Sequence, residues 1–260
     1  MTYEKILYSL SGDVARISLN DPATLNAGSE LMGRELIAAL DRAAGEARAI
    51  LLTGEGKGFC SGANLASANA MLTDPMRDVG SLLDVAFNRV IVAMKCMELP
   101  IVTAVRGPAA GVGAGIAMAG DIIVCGEGGY FLQAFRHVGL VPDGGSSWLL
   151  SRAVGRVRAM QLMLLGERLY GQQALEWGLV TKLVPDDEVE SAAMAIAQAL
   201  AGGPASLALI KRNAWAAEDA SLETALINER LGQRDASRTE DFVEGVKAFG
   251  EKRKPEFKGR

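Results

Sequence analysis

The chain has 260 residues, 49% of them hydrophobic, which is enough to bury a substantial core in one large domain or in a domain with a smaller appendage. Its formal net charge is -4 with both signs dispersed, so neither a basic stripe for nucleic acid nor an acidic disordered block is present. The three cysteines, Cys60, Cys96 and Cys125, have neither disulfide-framework nor zinc spacing, and the most apolar stretch, residues 107–120, is too short to span a bilayer. These features predict a cytoplasmic protein with no metal, no nucleic-acid partner and no membrane segment.

YEKILYSL and DVARISL flank Ser11-Gly12-Asp13 and read as a hairpin. From Ser29, a candidate N-cap, SELMGRELIAALDRAAGE repeats apolar residues at helical spacing, and ARAILLTG follows as a buried strand. The glycine-rich loop GEGKGFCSGANL comes next, then a helix expected over residues 78–97, then the strand PIVTAV. RGPAAGVGAGIAMAG passes from loop into a small-residue helix, and DIIVC is a further strand. Beyond Asp143 the pattern is mostly helical, over residues 147–154, 156–165, 187–201, 204–218, 221–233 and 240–252, with one strand in LVTKLV. The fold class is therefore α/β, with an all-helical C-terminal segment.

Three glycine-rich segments bear on function. GEGKGFCS lacks the Ser or Thr that must follow the lysine of a phosphate loop, and GVGAGI has Ile116 where a dinucleotide fingerprint needs its third glycine. Both have instead a strand entering glycine-permissive backbone, which gathers backbone N–H groups around a small volume suited to an oxyanion. Close Gly/Ala packing explains either segment alone. VGLVPDGGSS adds one carboxylate, Asp143, in a turn preset by Pro142 and relaxed by Gly144 and Gly145. Together the three suit the stabilisation of an enolate while a nearby base moves its proton. The single histidine, His137, and the loop cysteine, Cys60, read as structural.

FCSGANL, PIVTAVRGPAAGVGAGIAMAGD, VGLVPDGGSSWLLSRAVGRVRAMQLMLLGERLYGQQALEWGLVTKLV and EGVKAFGEKRKPEF, in that order, resemble the crotonase superfamily of enoyl-CoA hydratases and isomerases. The resemblance implies a crotonase (ClpP-like) spiral of repeated β-β-α units over residues 1–195 that binds acyl-CoA and carries the chemistry. It implies a C-terminal helical segment, residues 196–260, for trimerisation and CoA contact, hence a homotrimer or a hexamer built as a dimer of trimers. Coenzyme A would be part of the substrate, with no separate cofactor. By matching motifs, the oxyanion donors fall at the backbone of Ala63 and Val112. Substrate and CoA contacts fall at Ala23, Thr24, Leu25, Ala63, Leu65, Phe135, Phe249 and Lys252.

Two departures matter most. The places where hydratases of this family carry glutamates hold Gly115 and Phe135, so Asp143 is left as the catalytic carboxylate, as in the isomerases of the phenylacetate-pathway ring-epoxide type. The activity implied is a double-bond shift in an enoyl-CoA or a related ring isomerisation, through an enolate with Asp143 as acid and base. Hydration, thioester hydrolysis, aromatic acyl-CoA dehalogenation and non-catalytic acyl-CoA binding are the alternatives. Phe135, Val138, Leu140 and Trp148 are expected to enclose Asp143. Asp21 stands where relatives often carry a basic residue, and Asn64 where they carry aspartate.

Overall fold

The structure is a computed structural model that describes residues 2–64 and 73–260. Strands β1 (Ile6–Ser11) and β2 (Val14–Leu19) form the expected hairpin, and α1 (Glu30–Glu46) leads into β3 (Ala49–Gly54). A π-helical turn at Leu83–Phe87 runs into α2 (Asn88–Cys96), followed by β4 (Ile101–Val105), β5 (Pro108–Ala110), α3 (Val112–Met118), β6 (Ile122–Gly126) and β7 (Tyr130–Leu132). Next come α4 (Ser146–Val154), α5 (Arg156–Leu165), β8 (Arg168–Tyr170), α6 (Gly171–Glu176) and β9 (Lys182–Val184). The helices α7 (Val189–Ala201), α8 (Ser206–Ala217), α9 (Leu222–Ala236) and α10 (Glu240–Glu251) complete the chain.

Six strands form one sheet in the order β1-β2-β3-β4-β6-β9, parallel from β2 onward. AILLTG and IVTAV are buried at every residue, as required of parallel strands covered on both faces. Alternation sorts the two faces. Ile50, Leu52, Ile101 and Val105 join the main core with Met32, Leu36 and Leu40 of α1, whereas Ala49, Leu51, Val102 and Ala104 pack on Val189, Ala193, Ala197 and Ala201 of α7. Ser29 caps α1 as expected, its hydroxyl accepting from Met32 N at 3.2 Å.

The second sheet, β5-β7-β8, was not expected from the sequence. Its strands are three residues each, too short to show an alternation, and β5 lies in a segment that reads as loop. The helix expected over 78–97 also starts later. Asp78 accepts hydrogen bonds from Gly80 N and Ser81 Oγ, which makes a turn there, and the π turn brings Ala86 against Gly33 of α1.

A buried ion pair ties α8 to the core. Lys211 Nζ donates to Asp121 Oδ2 and to Leu99 O, both at 2.9 Å, and Trp215 Nε1 donates to Asp121 Oδ1 at 2.9 Å. Among the described residues no single helix is long and apolar enough to cross a membrane; α7 with α8 passes only as a pair bent by 110°.

Candidate active site

The first of three loops leaves β3 and pairs with β5: Cys60 N donates to Pro108 O and Ala110 N to Cys60 O, at 3.0 and 2.9 Å. Gly62 then turns with φ +99°, a conformation that L side chains resist. Gly28 N donates to Gly62 O at 2.7 Å and Asn64 N to Gly28 O at 2.9 Å, so Ala63 sits between the two bonds of a parallel bridge. In that pairing the N–H of Ala63 is directed to the opposite edge.

The second loop reverses at Gly111, φ +51°, which anchors itself by donating to Leu132 O at 2.9 Å. Val112 is the first residue of α3, where helical N–H groups lack an internal partner. Among the described residues neither Ala63 N nor Val112 N has an acceptor. The two loops abut: a β-carbon on Gly111 would lie 3.6 Å from Gly62 Cα and 3.7 Å from Phe135 Cζ. Cys60 packs under them against Gly113, and burial pushes its thiol up to about 11, in keeping with a structural role.

The third loop carries Asp143. A 3-10 turn at Ala134–Val138 is pinned to the C-terminal carbonyls of α5: Arg136 Nη1 donates to Leu164 O and Leu165 O at 2.7 and 3.2 Å, and His137 Nε2 lies 3.0 Å from Gly166 O. His137 is thus a structural hydrogen-bonder, as expected. Gly144 and Gly145 both have positive φ, and Ser146 N closes the turn on Asp143 O at 2.9 Å. Gly145 lies close to Ile91 of α2 and Leu149 of α4.

The Asp143 carboxyl is half-buried, its buried Oδ1 has no hydrogen-bond partner among the described residues, and burial pushes its pKa up to about 6. Desolvation with no compensating donor penalises the anion, which makes this carboxylate a base of useful strength near neutrality.

The residues expected to enclose Asp143 differ in burial. Phe135 is buried, but Val138 and Leu140 are 50% and 42% exposed. Trp148 stacks on Trp215 at 6.0 Å, with Arg152 and Lys95 over its ring. That cation-aromatic cluster joins α4 to α8. Two polar residues do not stand out in the sequence: Gln133 and Ser146 are buried, and their Oε1 and Oγ have no partners among the described residues. The only sign was a polar residue within the otherwise apolar YFLQAF.

Ala23, Thr24 and Leu25 form a short 3-10 turn and its left-handed exit. Ser61 stitches this turn to the first loop, its N–H donating to Leu25 O at 2.9 Å and its hydroxyl to Thr24 O at 2.8 Å. Asp21 pairs with Lys5 at 3.1 Å. Leu65 lies outside the described residues. Phe249 and Lys252 are on α10 and its left-handed cap, and no described contact joins them to Ala63, Val112 or Asp143 within the chain. Phe249 is 88% exposed and lines an apolar groove of about 860 Å³ between α8, α9 and α10.

A parallel spiral with C-terminal helices, on which three loops carry the matched motifs, is the crotonase architecture. The chain belongs to the enoyl-CoA hydratase/isomerase family, whose model matches residues 10–260. It is 39% identical over 260 residues to the 1,2-epoxyphenylacetyl-CoA isomerase of Escherichia coli, with 99% of each chain covered. It is 40% identical over 261 residues to a probable enoyl-CoA hydratase of Rhodobacter capsulatus, with 100% of each chain covered. The crystal structure of an enoyl-CoA hydratase from a Polaromonas species superposes with a TM-score of 0.93 at 30% identity, covering 97% of this chain and 99% of that one. Members of the family are enzymes, and an acyl-CoA substrate fits that membership.

Proposed function

We propose that the protein is an enoyl-CoA isomerase with Asp143 as its single acid and base. Asp143 removes an α-proton from a 3-enoyl-CoA, the dienolate oxygen is held by Ala63 N–H and Val112 N–H, and the same carboxyl returns the proton at C4. The proton, the double bond and the charge balance without a cofactor or a metal, and coenzyme A enters as part of the substrate. A ring isomerisation through the same enolate is the related possibility, in line with the name of the Escherichia coli relative.

The observation that carries this reading is the desolvated carboxyl of Asp143, with its pKa at about 6, in a chain whose two hydratase glutamate positions are Gly115 and Phe135. Hydration needs one group to activate water and another to protonate C2, and each such group contributes about 10² to 10⁴ in rate. Glycine and phenylalanine supply neither. Wild-type protein given 3-enoyl-CoA substrates, aliphatic and aromatic, should raise the ultraviolet absorbance of the conjugated 2-enoyl thioester. Loss of that absorbance from a 2-enoyl-CoA by water addition would contradict the assignment.

The CoA moiety is assigned to the Ala23–Leu25 turn, supplemented by Phe249 and Lys252 of a neighbouring subunit in a homotrimer or a dimer of trimers. Support comes from the exposed apolar face of the C-terminal helices, where Leu226, Ile227, Val243, Val246 and Phe249 are each at least half exposed. Residues 196–260 then act as the association segment, and residues 1–195 as the catalytic core.

A further inference from the structure

Val112 and Gly115 are three residues apart on α3 and therefore share one face of the helix. Gly144, next to the proposed base, rests on that face. A β-carbon on Gly144 would lie 3.0 Å from Val112 Cγ2 and 3.2 Å from Val112 Cα. A β-carbon on Gly115 would lie 2.9 Å from the Gly144 carbonyl carbon and 3.2 Å from its Cα, and would overlap the carbonyl oxygen. The Gly144 peptide thus occupies the space that any side chain at position 115 would need. Both glycines are required for separate reasons, Gly144 because its φ is +56° and Gly115 because the turn's backbone lies directly against it.

We propose that Val112 and Gly115 are positioning residues, forming a socket on α3 that seats the Gly144 peptide and so sets the Asp143 carboxylate relative to the Val112 N–H. The proposal rests on the reading of Asp143 as the base. Its consequence for specificity is steric: the Asp143 turn in this position and a glutamate at 115 exclude one another, so the choice of reaction is built into the packing of the loop as well as into side-chain identity. Filling the socket would drive the turn back by on the order of 1 Å, and a misplacement of that size costs about 10²-fold in rate.

The test compares Gly115→Ala and Val112→Ala with wild type in isomerisation of a 3-enoyl-CoA, alongside Asp143→Asn and circular dichroism of each variant. Gly115→Ala should lower kcat by about 10- to 100-fold with KM within about twofold, because the defect lies in the geometry of the transition state and not in binding. Val112→Ala, which removes the wall without pushing on the turn, should lower kcat by a smaller factor, about 3- to 10-fold, again at constant KM. Wild-type kcat in Gly115→Ala, or equal and opposite changes in kcat and KM, overturns the socket. If Gly115→Ala does not fold, unchanged kcat in Val112→Ala overturns it. Activity retained by Asp143→Asn would instead remove the base assignment, whereas its loss with both socket variants fully active would remove the socket alone.

Discussion

Replacing Asp143 with asparagine should stabilise the fold above pH 7 and leave it unchanged below pH 4. Burial raises the Asp143 pKa from 3.8 to about 6, so the folded state holds its proton more tightly than the unfolded chain does. The stability supplied by the neutral carboxyl is fully present below the unfolded pKa, is lost as pH rises through the folded pKa, and is absent above it. A tenfold difference in proton affinity between the two states corresponds to about 1.4 kcal/mol. Because the carboxyl is only half-buried, solvent screening reduces the ionisation penalty to about 1 to 2 kcal/mol. Asparagine has the same shape and never ionises, so it should recover that amount at pH 8. In a chain of this length, 1 kcal/mol moves Tm by about 2 to 4 °C. Thermal unfolding of both proteins at equal concentration from pH 4 to pH 8 should give curves that coincide at the acid end and separate by about 2 to 8 °C at the alkaline end. Coincidence at pH 8, or a less stable asparagine variant there, would refute the claim that Asp143 is a desolvated, unpaired carboxyl.

Three further outcomes follow from the geometry. Gly62→Ala places a side chain at φ +99° with its β-carbon 3.1 Å from Ala110 O, and should cost about 1 to 2 kcal/mol in stability together with most of kcat, read by melting and by isomerase assay. Lys211→Met leaves Asp121 without its cation in a site where the lysine side chain is 5% exposed, and should lower stability by about 3 kcal/mol in chemical denaturation. Val246→Arg, in the apolar groove of the C-terminal helices, should shift the protein to a monomer in light scattering, and an unchanged mass would remove that face from the subunit contact.

The sequence displayed its local features well. Ser29 announces α1 because a hydroxyl at the N-cap satisfies an N–H that nothing else can reach, and the unbroken apolar runs of β3 and β4 announce strands covered on both sides. Asp143 drew notice because a carboxylate between proline and two glycines has a preset backbone and stands where the family resemblance implies a catalytic carboxylate. What escaped was non-local or short. The strands of the second sheet are too brief to display a period, and their pairing depends on partners tens of residues apart. The stacking of Trp148 on Trp215 and the clasp of Lys211 on Asp121 join residues separated by 67 and 90 positions, beyond the reach of any local pattern.

Proton transfer at the α-carbon by Asp143 is the step on which the proposed chemistry depends. Nuclear magnetic resonance of an acyl-CoA in D₂O tests it most directly. Wild-type protein should exchange the α-protons for deuterium, and Asp143→Asn should slow that exchange by at least about 10²-fold while the ligand still binds. Undiminished exchange in the asparagine variant, or binding by wild type with no exchange at all, would contradict it.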